Sequence, residues 1–224
     1  MNYREFKYPK SLHSPNSLKL SKKEDRNFDI KNLKYFIGKE IVVTEKLDGG
    51  NESISKDFCL PRAMDENSFM YGHKSRNWIK SFWNQIRNDI PDDLIISIEN
   101  MFAIHTIYYD LLPSFAMGIG VWSKSKDCLI SFDKTLEWFN LFGIPNMPIL
   151  YRGIYNEKEI QKCYSGKSKL ASDSIQEGYV VRLTEEIPRK EFGMKLFKFV
   201  SNTFIIPNEH WSKNQITLNK LKEN

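Results

Sequence analysis

Three features of this 224-residue sequence predict an α+β fold with a largely antiparallel sheet. Eight short apolar or β-branched runs, too brief for long helices, are spread along the chain. Two or three stretches with helical spacing are inserted between them. No internal repeat or low-complexity linker interrupts this pattern.

Taken in order, residues 1–35 are rich in Lys, Ser, Asn and Pro and weakly periodic, so they read as an extended lead-in with a few docking apolar residues. Strands are expected at about 40–46, 52–57, 93–99, 115–122, 128–132, 147–151, 178–184 and 193–200. Trp78, Ile79, Phe82, Trp83, Ile86 and Ile90 recur at helical spacing with Lys80, Gln85 and Arg87 between them, which predicts an amphipathic helix over 76–90. A second helix is expected at 133–142, with Asp133 as N-cap and Gly143 and Pro145 as the stop. A third, at 156–164, opens on Asn156 and Glu159 in a capping-box-like arrangement. The polar stretch 165–176 reads as a surface loop. Its Gly166-Lys167-Ser168 lacks the upstream glycine of a phosphate-binding loop.

Composition narrows the function classes. Hydrophobic residues make up 41%, and no apolar run approaches the length of a membrane span. The N-terminus lacks the apolar core of a signal peptide. Cys59, Cys128 and Cys163 are odd in number and widely spaced, which suggests neither a disulfide framework nor a zinc site and fits a reducing, cytoplasmic setting. His13, His73, His105 and His210 are scattered without metal-ligand spacing. A net charge of +5 permits a polyanionic partner without requiring one. The Lys/Asn/Ile-rich composition is in keeping with an AT-rich genome, such as a viral one.

The chemistry centres on Ile41-Val42-Val43-Thr44-Glu45-Lys46-Leu47-Asp48-Gly49-Gly50-Asn51. Four apolar or β-branched residues read as a buried strand that ends in a lysine, and Asp-Gly-Gly turns the chain. Burial favours the neutral amine, and a neutral amine is a nucleophile. K-x-D-G alone occurs by chance in about one chain in twenty of this length, so its company matters. That company is Arg62 after a short run, Ser75-Arg76 at the start of the amphipathic helix, and Glu99 at the end of a buried strand. It continues with Glu177 before Gly178-Tyr179-Val180-Val181-Arg182, and with Lys195 and Lys198 in an apolar run.

This ordered set, over roughly 36–211, resembles the covalent nucleotidyltransferases, and among them most closely the ATP-dependent RNA ligases. The resemblance implies an ATP-grasp-like nucleotidyltransferase domain over 36–211, followed by a tail at 212–224 with no OB-fold module. It implies that Lys46, within Glu45-Lys46-Leu47-Asp48-Gly49, carries AMP, and that Glu45, Leu47 and Asn51 lie against the nucleotide. Arg62 and Glu99 are implied at the ribose, and Glu177 and Asp48 at Mg²⁺ or Mn²⁺. Lys195, Lys198 and Arg76 are implied as cations for the phosphates. Because side chains alternate on a strand, the three-residue spacing of the two lysines favours Lys198 and leaves Lys195 dependent on a bulge. The adenine-stacking aromatic of the family is replaced by Ile119, with Phe115 off register.

The implied activity is ATP-dependent joining of RNA 5′-phosphate and 3′-hydroxyl ends through lysyl-AMP and RNA-adenylate, with RNA ends and ATP as partners. A separate RNA-binding or end-processing partner would answer for the missing OB-fold. The alternatives are a DNA ligase, a capping guanylyltransferase, or a non-ligating module that binds nucleotide or RNA ends.

Overall fold

The apolar runs pair into two sheets that face one another across a cleft. The computed structural model describes residues 7–18, 27–62, 72–204, 211 and 215–223. Its strands are β1 (Leu12–His13), β2 (Glu40–Lys46), β3 (Gly50–Ile54), β4 (Cys59–Pro61), β5 (Leu94–Asn100), β6 (Ala116–Ser123), β7 (Cys128–Leu129), β8 (Ile149–Ile154), β9 (Gly178–Leu183), β10 (Ile187–Pro188) and β11 (Leu196–Val200). One sheet runs β1-β11-β9-β2-β8 and the other β10-β7-β6-β5-β3-β4. Among the strands of the described residues, only the β1–β11 pairing is parallel. The α+β class and the antiparallel character are as the sequence predicts.

Among the described residues four α-helices flank the sheets: α1 (Asn77–Ile86), α2 (Phe132–Leu141), α3 (Glu157–Lys162) and α4 (Phe192–Lys195). α1 sits between two 3-10 turns, Lys74–Arg76 and Arg87–Asp89, so the helical run matches the expected 76–90 closely. It buries Ile79 against Ile54, Ile96 and Ile98. Trp83 Nε1 donates to Ser55 O at 2.6 Å and Arg87 Nε to Lys56 O at 3.1 Å, which fastens the helix to the β3–β4 hairpin.

Three local expectations are corrected. Ser131, not Asp133, caps α2, and this ends the strand expected at 128–132 after Leu129. Asp133 turns outward to Arg152 at 2.6 Å. Asn156 does cap α3, but Glu159 pairs with Lys162 instead of closing a capping box. The strand expected from 193 begins at Leu196, because Phe192–Lys195 form a helical turn with Glu191 and Lys195 paired at 2.9 Å, an i,i+4 contact.

The strand-connecting turn after Lys46 crosses from one sheet to the other, since β2 belongs to the first and β3 to the second. Leu47, 2% exposed, drops from that turn into an apolar cluster with Met101, Ile107, Tyr109, Leu112, Met117 and Val200. Burying a leucine side chain contributes ~2 kcal/mol or more, so the turn is held from below. Among the described residues no helix is long and apolar enough to cross a membrane.

Candidate active site

Lys46 owes its position to the turn that follows it. Asp48 Oδ2 accepts from Thr106 N at 2.7 Å and Ile107 N at 3.1 Å, and Asp48 N donates to Tyr109 Oη at 3.0 Å. Gly49 has no room for a side chain: a Cβ there would lie 2.6 Å from Met101 Sδ and 2.8 Å from Asn100 O. A small residue after a backbone-binding aspartate is therefore required locally, and the K-L-D-G order follows from packing.

The facing wall is β9. Gly178 pairs with Lys46 across the sheet, and a Cβ on Gly178 would sit 1.9 Å from Phe199 O. Only glycine lets β9 and β11 approach here. The residue before it, Glu177, turns its carboxylate onto Lys46, with Nζ 2.7 Å from the carboxylate oxygens. The lysine side chain is 24% exposed and that of Glu177 only 3%. Glu99 comes from β5, opposite Asn51 on β3.

These groups face one cleft of about 430 Å³, a size suited to a nucleotide. Its electrostatics correct one expectation. Burial does pull the Lys46 amine down, but Glu177, Glu99 and Asp48 together outweigh it, so the amine is held above its ordinary value and stays protonated. Burial pushes Glu99 up to about 7 against the pull of Lys46 and Arg62. Burial also pushes Glu177 up to about 7 despite its contact with Lys46, with Asp48 and Glu99 adding to the rise. Three carboxylates thus crowd a single buried amine, and Glu177 keeps the Lys46 proton beside it.

The cleft walls bring together most of the residues expected from sequence. Glu45, Lys46, Leu47, Asp48, Asn51, Arg62, Arg76, Glu99, Ile119, Glu177 and Lys198 all line it. Ile119 comes from β6 and Val180 from β9, so an apolar slot is built from both sheets. Glu45 Oε2 accepts from Lys169 N at 2.9 Å, and hydrogen bonds from Ser168 and Lys169 work against the burial that raises the Glu45 carboxyl.

Three expectations are placed differently. Lys195 does not line the cleft; it sits at the end of α4, paired with Glu185 at 3.2 Å and Glu191 at 2.9 Å. Arg76 is 1% exposed, and its guanidinium grips Glu52 at 2.7 and 2.8 Å and Cys59 O at 2.9 Å. Its charge is matched within the wall, where it braces β3 and β4. Phe115 lies in an aromatic cluster with Trp78 and Phe102, ring centroids 5.3 Å apart in each pair, and not on the cleft.

Sequence reasoning missed several wall residues. Val180 and Arg182 could have been found, because the two-residue period of β9 puts them on the same face as Gly178. Tyr8, Met147 and Trp211 had no local signal. A divalent cation fits this site in one form. Among the described residues no cluster of three or more His, Cys, Asp or Glu could hold a metal by itself. Glu99, Glu177 and Asp48 crowd negative charge into the cleft, and Asp48 keeps one oxygen uncommitted to backbone, so a hydrated cation shared with phosphate would relieve that crowding.

A family model for RNA ligases matches residues 39–200. No curated protein matches the chain. Among solved structures, a candidate ATP-dependent DNA ligase from Aquifex aeolicus matches with a TM-score of 0.54 at 18% identity, over 87% of this chain and 50% of that one. An archaeal ATP-dependent RNA ligase gives 0.56 at 13%, over 87% and 48%. The Naegleria gruberi RNA ligase gives 0.52 at 16%, over 87% and 57%; a variant of it bound to ATP and Mn gives 0.50 at 17%, over 86% and 59%. At these identities the likeness establishes the fold, and the chain spans about half the length of these solved proteins.

Proposed function

The chain belongs to the RNA ligase family, and from that membership we propose that it joins RNA 5′-phosphate and 3′-hydroxyl ends using ATP, with Lys46 as the acceptor of AMP. The observation that carries this reading is the Lys46 amine at the end of β2, 2.7 Å from Glu177 and open to a nucleotide-sized cleft.

In the first step Lys46 Nζ bonds to the α-phosphorus of ATP, the bond to the pyrophosphate oxygen breaks, and Glu177 takes the amine proton. A 5′-phosphate oxygen of RNA then attacks the lysyl-AMP phosphorus and the phosphorus–nitrogen bond breaks. Finally the 3′-hydroxyl oxygen attacks the 5′-phosphorus, its proton passes to solvent, and the bond to the AMP oxygen breaks as AMP leaves.

Each wall residue has a role in this reading. Lys198 offers its charge to the phosphate oxygens. Arg62 and Glu99 hold the ribose hydroxyls. Asn51 lies near the phosphates. Ile119 and Val180 enclose adenine by aliphatic packing, and Leu47 fixes the turn beneath it. Glu45, on the cleft wall, lies against the nucleotide. Glu177 and the remaining oxygen of Asp48 are the residues that would hold Mg²⁺ or Mn²⁺, which when bound neutralises the leaving pyrophosphate.

RNA ends and ATP are the assigned partners, with a further RNA-gripping module on another chain or segment. Three buried, unbonded cysteines support a reducing, cytoplasmic setting. The fold likeness to a candidate DNA ligase makes DNA the rival substrate. The test is sealing of nicked duplex RNA, single-stranded RNA and nicked DNA side by side with ATP and Mg²⁺. RNA joining supports the reading, and joining of DNA alone overturns it.

A further inference from the structure

The hydrogen bonds that shape the Lys46 turn come from residues 106–109, in a segment with little regular structure of its own. Irregular backbone keeps its shape only through external partners. Here those partners come from the far end of the chain. Residues 215–223 run back along residues 102–112. Ile104 N donates to Thr217 O at 2.8 Å, Lys220 N to Tyr109 O at 2.8 Å and Lys222 N to Leu112 O at 2.8 Å. Ala103 bridges to Leu218 and Leu112 to Leu221.

Asn219 is the centre of this contact. It is 2% exposed, and an amide so buried is costly unless it is fully used. Its Nδ2 donates to Met101 O at 2.8 Å and Ala103 O at 3.3 Å, and its Oδ1 accepts from Tyr109 N at 2.8 Å. Tyr109 is fully buried, and its hydroxyl takes the Asp48 amide at 3.0 Å. A continuous path therefore runs from Asn219 through Tyr109 to Asp48, two residues from the Lys46 amine.

We propose that residues 215–223 are a strap that sets the position of Lys46, with Asn219 and Tyr109 as positioning residues. The proposal rests on the reading of Lys46 as the AMP acceptor. A nucleophile displaced by about 1 Å loses on the order of a hundredfold in rate, so a loop that sags behind Asp48 is felt at the phosphorus.

The test uses the full chain with Asn219→Ala and, separately, Tyr109→Phe, which removes one oxygen and keeps the ring. Two readouts are taken: amide hydrogen exchange over 46–50, and the single-turnover rate of AMP transfer to Lys46 together with the KM for ATP. Exchange at the Asp48 amide should quicken about tenfold in both variants. The transfer rate should fall about tenfold or more while KM stays within about twofold. Unchanged exchange over 46–50, or a change in KM alone, overturns the strap. If the wild-type chain never acquires AMP, the functional reading fails, and exchange still decides whether the strap holds the turn. If Asn219→Ala does not fold, Tyr109→Phe carries the test.

Discussion

Replacing Glu177 with glutamine should make Lys46 more reactive toward a simple amine reagent and less reactive toward ATP. The two effects have opposite signs because Glu177 does two things. In the metal-free protein it holds the Lys46 proton through a contact of 2.7 Å, in a site where Glu99 and Asp48 add further negative charge. A hydrogen bond between charged groups contributes about 1.5–3 kcal/mol. Losing it frees the neutral amine by about ten- to a hundredfold at a given pH. With Lys46 only 24% exposed, little of this is screened by solvent. The assay is acylation of Lys46 at pH 8 without metal or ATP, followed by peptide mass spectrometry, beside the rate of AMP transfer with ATP and Mg²⁺. Acylation should rise about tenfold or more while AMP transfer falls about a hundredfold, the scale of a lost proton acceptor. Slower acylation in Glu177→Gln, or acylation and transfer that rise together, would refute the reasoning.

Three further outcomes are expected. Glu99 and Glu177 retain protons to about 7 in the folded chain but only to about 4.5 when unfolded, so the folded state binds more protons between those values. Metal-free stability should therefore fall as pH rises from about 4.5 to 7 and Mg²⁺ should offset the loss, as read by urea denaturation with EDTA or with Mg²⁺. Arg76→Met should destabilise the chain by about 3–5 kcal/mol by stranding Glu52, whereas Arg76→Met with Glu52→Leu should recover most of that and retain AMP transfer. A double variant that is stable but inactive would give Arg76 a direct role at the phosphates. Glu45→Ala should raise the KM for ATP about tenfold, as read in the transfer assay.

The parts of the site that can be read from sequence are those whose causes are local. Lys46-Leu47-Asp48-Gly49 is legible because the tight approach at Gly49 and the backbone bonds of Asp48 demand those residue types in that order. Glu177-Gly178 is legible for the same reason, since no side chain fits opposite Phe199. What was not legible depended on distant partners. Arg76 finds Glu52 24 positions away, and no pattern around either residue announces the pair. The protonation of Lys46 depends on a glutamate 131 residues distant, and on two more carboxylates from other elements. Lys195 left the expected strand because Phe192 packs edge-on against Tyr8, from the lead-in, and seats a helical turn there. The eleven short strands show the same division. Apolar runs located most of them, while β1 and β10, two residues each, exist only through their neighbours.

The central claim is that Lys46 forms a covalent bond to AMP. It is tested most directly by incubating the chain with ATP and Mg²⁺ and mapping the modified peptide by mass spectrometry. One AMP per chain is expected, on Lys46, released by pyrophosphate and absent from Lys46→Ala. AMP on another residue, or its persistence in Lys46→Ala, would contradict it.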